Sequence, residues 1–244
     1  GRNIAIKNAQ SEIIACTDAG NIIDKDWLKN IVKPFEEDES IDVVAGFYKP
    51  VPENIWEECA GILHTAPLEK INPETFLASA RSIAFKKSAW QKIGGFPEQY
   101  SWNEDTPFNL YLKKAGCKYA FAPGAIVYWR PMPNLKTFLK HSYRFALGDG
   151  QAGIQTKIYL KVLIRYLLAI FLLIMGVFYN WILIGLLLLF ALYLIYIAIM
   201  GYQRAKRKIT ALILPIYTIG MNIVVLFGFL KGLIERLFNS KYKY

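Results

Sequence analysis

Two places in this 244-residue chain carry residues whose types and spacing could do chemistry at neutral pH. The first is Asp18, which follows the Ile-rich run at residues 12–16 and has Ala19 and Gly20 as small neighbours. Open α/β sheets bind ligands at the carboxyl ends of their strands. A carboxylate there can hold a divalent cation that bridges a diphosphate, and small neighbours let a ligand approach the backbone. The same residue could instead make only a local Asx-turn. The second place is Glu104-Asp105, just ahead of Thr106-Pro107. At a helix start a carboxylate is stabilised by the helix dipole, and it can act as a general base if a hydroxyl lies within hydrogen-bond reach. The plain alternative is a cap, with Asp105 as N-cap and Pro107 in the first turn. His64 and His141 are isolated, and Cys16, Cys59 and Cys117 form no C-x-x-C pair, so no zinc site or disulfide framework is indicated. Dispersed thiols suit a reducing compartment.

The pattern around these residues predicts the elements that must position them. Residues 4–9 read as the end of a helix and 12–16 as a buried strand that stops at the turn Thr17-Asp18-Ala19-Gly20. Asp24 is placed to cap a helix whose apolar residues Trp27, Leu28, Ile31, Val32 and Phe35 follow helical spacing. A second strand is expected at 41–47. Residues 49–78, with four prolines, are expected to be irregular. A third strand at 81–85 leads into a short helix that ends at Gly94-Gly95. The helix opened by Glu104-Asp105 ends at Gly116, and two further strands follow at 118–121 and 125–129. Strands alternating with helices give an α/β layer structure.

Beyond residue 134 the composition changes. The chain is 54% hydrophobic with a mean hydropathy of +0.25, and no charge falls within residues 166–203 or 209–230. A membrane span takes about 20 apolar residues, so helices are expected at about 160–178, 181–202 and 209–232, the first two joined at a Tyr179-Asn180 tip. Residues 1–134 carry 15 Lys/Arg against 17 Asp/Glu; residues 135–244 carry 14 against 2, so the whole +10 excess lies beside the apolar segments. That placement fits anionic lipid headgroups and not a nucleic-acid partner, whose basic patch belongs on the folded part. In residues 135–147, Leu135, Phe138, Leu139, Tyr143, Ala146 and Leu147 form an apolar face opposite Lys136, Lys140, His141 and Arg144. Such a helix lies in the headgroup plane, or else packs as an ordinary surface helix. The implied organisation is a domain over 1–134, an interfacial helix and linker over 135–157, and a membrane region over 158–244. Arg204, Lys206, Arg207 and Lys208 place the loop after the second span in the cytoplasm, together with the domain. A third span puts Lys231, Arg236, Lys241 and Lys243 outside, against that rule. Pro215, Gly220 and Gly228 offer a re-entrant or interfacial alternative, and the third span is preferred.

The segments RNIAIKNAQSEIIACTDAG and SARSIAFKKSAWQKIGGFPEQYSWNEDTPFNLYLKKAGCKYAFAPGAIVYW, in that order, resemble family 2 glycosyltransferases of the GT-A fold. The resemblance covers about residues 1–150. It implies a partial GT-A, Rossmann-like α/β domain followed by α-helical transmembrane segments, with the family's first strands expected before Gly1. It also implies an inverting transfer from a nucleotide diphosphate sugar to a lipid-linked or glycan acceptor. By the resemblance Asp105 is the catalytic base with Glu104 beside it, and Asp18 holds Mg²⁺ or Mn²⁺ and the diphosphate. Gly20 stands where the family usually has a second Asp, which weakens the expectation of a metal. Arg2 and Asn3 fall at the nucleotide, Arg81 and Ser82 on the acceptor side, and Gly94 and Gly95 in the turn beneath it. Arg144 matches the Arg of a Gln-x-x-Arg-Trp motif without its Gln or Trp, which argues against a processive synthase; contact with diphosphate and with lipid headgroups both stay open for it. A catalytically silent membrane scaffold and a GT-A-like nucleotidyltransferase are the alternatives.

Overall fold

The computed structural model describes residues 1–100 and 102–242. Runs rich in Ile, Val, Ala and aromatic residues form five strands, since branched and aromatic side chains pack well on a pleated surface. These are β1 (Ile13–Cys16), β2 (Ile22–Ile23), β3 (Val43–Pro50), β4 (Ile83–Lys86) and β5 (Tyr119–Trp129). They make one sheet in the order β1-β4-β3-β5-β2, with β3 and β5 parallel and the other neighbours antiparallel. Successive strand residues face opposite sides, and the burial follows. Val43, Ala45, Ile83 and Phe85 face one layer, with α1 (Arg2–Asn8), α4 (Lys87–Lys92) and α5 (Asp105–Lys114) supplying Ile6, Ala89, Phe108 and Leu112. Val44, Ala84, Ala122 and Val127 face the other, against Trp27, Ile31 and Phe35 of α2 (Trp27–Glu37). Phe96 and Phe108 stack with ring centroids 3.7 Å apart and fix the first layer beneath α5.

Three sequence expectations change here. The strands expected at 118–121 and 125–129 are one strand: Gly46 pairs with Ala122 but Phe47 with Ile126, so Pro123-Gly124-Ala125 is taken up as an irregularity in the ladder. Gly46 permits this, because a Cβ there would lie 2.0 Å from Ser82 Oγ and 2.7 Å from the Ala125 carbonyl oxygen. The stretch 49–78 is not irregular throughout. It holds the ten-residue helix α3 (Ile55–His64), whose flanking prolines Pro52 and Pro67 lie outside it and bound it. The cap of α2 is Asp26, with the Asp24 carboxylate accepting the Asp26 N–H at 3.0 Å just ahead of the helix.

By packing, the described chain divides into two units. One takes Gly1–Glu53 and His64–Pro131 and contains the sheet; the other takes Asn54–Leu63 and the chain from Met132 onward. In the second unit, Cys59, Ala60 and Ile62 of α3 share a core with Phe138 of α6 (Leu135–Ala152), Ile197 of α8 (Asn180–Ala205) and Leu214 and Tyr217 of α9 (Lys208–Phe238). Asn134 caps α6 by accepting the Thr137 N–H, and Gly153, at φ +69°, ends it. The helix runs five residues past the expected end at 147 and lies directly on α9. A Cβ on Gly150, Gly228 or Gly232 would meet backbone oxygens of the facing helix at 2.2–2.3 Å. Phe138 and Ala146, on the apolar face of this helix, are buried within this unit. Together with α7 (Thr156–Phe178), α8 and α9 are long and apolar enough to cross a membrane. Pro215, Gly220 and Gly228 do not interrupt α9. Lys243, included in the charge argument, lies outside the described residues.

Candidate active site

The two acidic places found in the sequence are joined by one arginine. Arg2, the first residue of α1, donates from Nη2 to Asp18 Oδ1 at 3.1 Å and from Nη1 to Glu104 Oε1 at 2.8 Å. Its guanidinium carbon stands 4.7 Å from the Phe96 ring centre, which fixes the fork over the aromatic layer. Burial works against the charge on Arg2, but the hydrogen bond and charge of Glu104, followed by the charge of Asp18, outweigh it and raise its pKa. Asp18 and Glu104 come from segments far apart in the chain, and each keeps about a third of its side chain exposed.

Asp105 is held differently. It is the first residue of α5 and not its N-cap, which is Glu104 in helical geometry. The Asp105 carboxylate turns away from its own helix: Oδ2 accepts the Ala80 N–H at 3.1 Å and the Ser79 hydroxyl at 3.4 Å. Burial raises its pKa; the Ala80 N–H acts the other way, the Glu104 charge raises it, Arg81 lowers it and Asp18 raises it. Asp105 therefore lies within electrostatic reach of Glu104, Arg81 and Asp18. A carboxyl withdrawn from water with a raised pKa is a better proton acceptor once ionised.

The remaining candidates separate by how their atoms are used. Asn3 spends both ends of its amide on the Gly-Gly-Phe turn. Nδ2 donates to the Phe96 carbonyl at 2.8 Å and to Glu98 at 2.9 Å, while Oδ1 accepts the Phe96 N–H at 2.9 Å and the Trp90 indole N–H at 3.1 Å. That uses its two donors and two acceptor positions, so Asn3 secures the turn and has no side-chain group left for a nucleotide. Gly94 and Gly95 have φ of +78° and +93°, a conformation open to glycine, and Gly95 packs against Asn3 and Trp90. Ser82 corrects the expectation of an acceptor-side contact. It is fully buried, its hydroxyl accepting the Trp27 indole N–H at 2.9 Å and donating to the Ala125 carbonyl at 3.0 Å. Its neighbour Arg81 is half-buried, its guanidinium carbon 5.2 Å from the Tyr48 ring centre and 4.6 Å from that of Trp129. Arg144 lies on α6, in the other unit. Tyr48, Ser79 and Trp129 were not singled out in the sequence. For Tyr48 and Trp129 the signal is positional: β3 and β5 run parallel from the Phe47–Ile126 pair to the Pro50–Trp129 pair, so residues at their C-terminal ends share one end of the sheet; Ser79 lies on neither strand and carries no such signal.

Among the described residues no three His, Cys, Asp or Glu side chains gather as a metal cluster. Mg²⁺ commonly takes only one or two carboxylates and completes its shell with water and substrate phosphate. Asp18 fits that minimal requirement, since its second carboxylate oxygen is outside the pair with Arg2.

The family model described as glycosyl transferase family group 2 matches residues 13–228. A relative from Methanococcus voltae, named a dolichyl N-acetyl-alpha-D-glucosaminyl phosphate 3-beta-D-2,3-diacetamido-2,3-dideoxy-beta-D-glucuronosyltransferase, is 23% identical over 252 residues, covering 99% of this chain and 76% of the relative. Among solved structures, the mannosyltransferase PcManGT from Pyrobaculum calidifontis, in complex with GDP-Man and Mn²⁺, is 18% identical with a TM-score of 0.48 over 96% of this chain and 65% of its own. S. aureus TarS is 22% identical with a TM-score of 0.38 over 59% of this chain. This chain spans 26% of the TarS chain.

Proposed function

The chain belongs to glycosyl transferase family group 2, and on that premise we propose that it transfers a sugar from a nucleotide diphosphate donor to a lipid-linked acceptor at a membrane, with inversion. Its α/β unit is a GT-A-type domain, and the three long apolar helices follow it. The observation that carries the mechanism is the convergence of Asp18, Glu104 and Asp105 through Arg2 and the start of α5.

Asp105 takes the proton from the acceptor hydroxyl. The acceptor oxygen then forms its bond to the anomeric carbon as the bond from that carbon to the diphosphate oxygen breaks. The nucleoside diphosphate leaves with the electron pair. Arg2 supplies positive charge beside Asp18, where developing charge on a leaving diphosphate is best stabilised. A divalent cation, Mg²⁺ or Mn²⁺, would be held by Asp18 and would neutralise diphosphate charge when bound. Glu104 keeps Arg2 in place. The relative from Methanococcus voltae carries a dolichyl-linked acceptor in its name, and the three apolar helices favour the same class of acceptor here. With Arg204, Lys206, Arg207 and Lys208 next to anionic lipid, the proposed topology is multi-pass with the catalytic unit in the cytoplasm.

The test is a transfer assay on the full protein in lipid vesicles, with a panel of nucleotide diphosphate sugars and polyprenyl-phosphate-linked acceptors. Asp105→Asn keeps the shape and removes the base, and a rate loss of about 10²–10⁴ is expected. Normal turnover by that variant would overturn the assignment of the base.

A further inference from the structure

The Arg81 guanidinium lies within electrostatic reach of the Asp105 carboxylate without pairing to it. Among the described residues the guanidinium forms no hydrogen bond and no ion pair, and its contacts are the rings of Tyr48 and Trp129. A guanidinium stays charged at all working pH values and carries five N–H donors in a rigid planar fork. Arg81 is half-buried, and none of its nitrogens is among the buried side-chain atoms that lack a partner, so its N–H edge stays open to solvent. Stacking on two rings, at about 0.5–2 kcal/mol per ring, holds the plane and leaves the N–H edge unused by the protein. A fixed plane with an unused edge is the geometry that receives two oxygens of a phosphate or carboxylate. The chain also keeps the group from relaxing. The Arg81 N–H donates to Ser79 Oγ at 3.4 Å, and Ser82, the next residue, is locked between Trp27 and Ala125.

Position decides which substrate meets this fork. Ala80, the residue before Arg81, donates its N–H to the Asp105 carboxylate at 3.1 Å, and Ser79 donates its hydroxyl to the same oxygen. In an inverting displacement the attacking oxygen and the leaving diphosphate lie on opposite faces of the anomeric carbon. A cation built into the loop that holds the base is therefore on the side of the attacking hydroxyl.

We propose that Arg81, stacked on Tyr48 and Trp129, is a preformed subsite for an anionic group of the acceptor, a phosphate or a carboxylate carried near the hydroxyl that Asp105 deprotonates. The assignment to the acceptor rests on the reading of Asp105 as the base; the anion site itself rests on the unspent fork. The phosphate would come from the lipid linkage and the carboxylate from an acidic sugar of the acceptor.

The experiment is calorimetric titration of the full chain in detergent at low salt, with inorganic phosphate and with glucuronate as separate probes. The parent protein is expected to bind at least one of them saturably, and Arg81→Gln to weaken that binding at least tenfold. Phosphate binding alone assigns the lipid linkage, glucuronate binding alone assigns an acidic sugar, and either supports the subsite. Arg81→Lys keeps the charge and loses the fork, so an intermediate affinity is expected; this variant carries the test if Arg81→Gln does not fold. Equal binding by parent and folded Arg81 variants, or no saturable binding by the parent, overturns the proposal. Asp105→Asn, titrated in parallel, separates the two readings. If it loses transfer while Arg81→Gln binds like the parent, the base stands and the subsite falls. If it turns over normally while Arg81→Gln loses the anion, the base falls and the assignment to the acceptor falls with it.

Discussion

Arg2 and Arg81 both act on the carboxylates at the start of α5, and they use their charge in opposite ways. Arg2 divides its fork between Asp18 and Glu104 and thereby joins two distant segments into one site. Arg81 gives its plane to two aromatic rings and its edge to nothing in the described chain. An organising charge and a receiving one differ in what satisfies them. The first is satisfied by the protein's own carboxylates and would persist without ligand. The second is held by apolar surface and backbone, in a geometry whose only evident return is an anion from outside.

Asp105 follows Glu104, the partner of Arg2, and is held by Ser79 and Ala80, the residues that precede Arg81. Burial, as the largest cause, puts its pKa above the ordinary 3.8 of the unfolded chain. As a base it must be ionised, so the transfer rate is expected to climb with pH through that raised value, and the climb should be absent from the residual activity of Asp105→Asn. The same shift has a stability consequence. The folded state holds this proton more tightly than the unfolded state, so stability is greatest below the unfolded pKa and falls as pH rises through the folded one. Thermal melts across that window should show the parent losing ground to Asp105→Asn as pH increases. A constant difference would mean that the carboxylate is not withdrawn from water.

A smaller effect is expected from Ser82→Ala, which removes the strut beneath Arg81. It leaves the buried Trp27 indole N–H and the Ala125 carbonyl without their shared partner, at about 1–3 kcal/mol. Denaturant titration would measure this, and phosphate affinity should weaken with it if Arg81 depends on the strut. The smallest stability effect belongs to Arg2→Gln. Its two ion pairs are about one-third exposed, and exposed pairs contribute about 0.2–1 kcal/mol and fade in salt. Its kinetic signature should be a raised KM for the nucleotide sugar. A stability loss of several kcal/mol would show that Arg2 is itself a buried strut, and the contrast with Arg81 would fail.

Much of this arrangement was legible before the structure. Strand β1 and the turn after it, the short helix ending at Gly94-Gly95, the Glu104-Asp105 helix start and the three apolar helices all carry local signals, either periodicity, capping or turn glycine. Other parts carry a misleading local signal or none. Helix α3 is hidden by the prolines around it and by Glu57, fully buried in a helix of mixed composition. Pro123-Gly124 reads as a strand end, yet β5 continues because β3 pairs with it on both sides of the irregularity. Ser82 looks like any exposed hydroxyl in sequence, and only packing against Trp27 and Ala125 makes it a core residue. Asn3 likewise reads as a ligand contact until its amide is seen to be spent on the turn.

Which residue types stand at strand ends and helix starts is set locally, because capping, turn geometry and apolar periodicity act over a few neighbouring positions. That the charge excess lies beside the apolar helices is a matter of composition. How each charge is spent is set by long-range packing. The partners of Arg2 lie 16 and 102 positions away, and Arg81 rests on rings from β3 and β5. Electrostatic and stacking energies depend on separation in space, and separation in space is set by the fold of the whole sheet, not by any short stretch of chain.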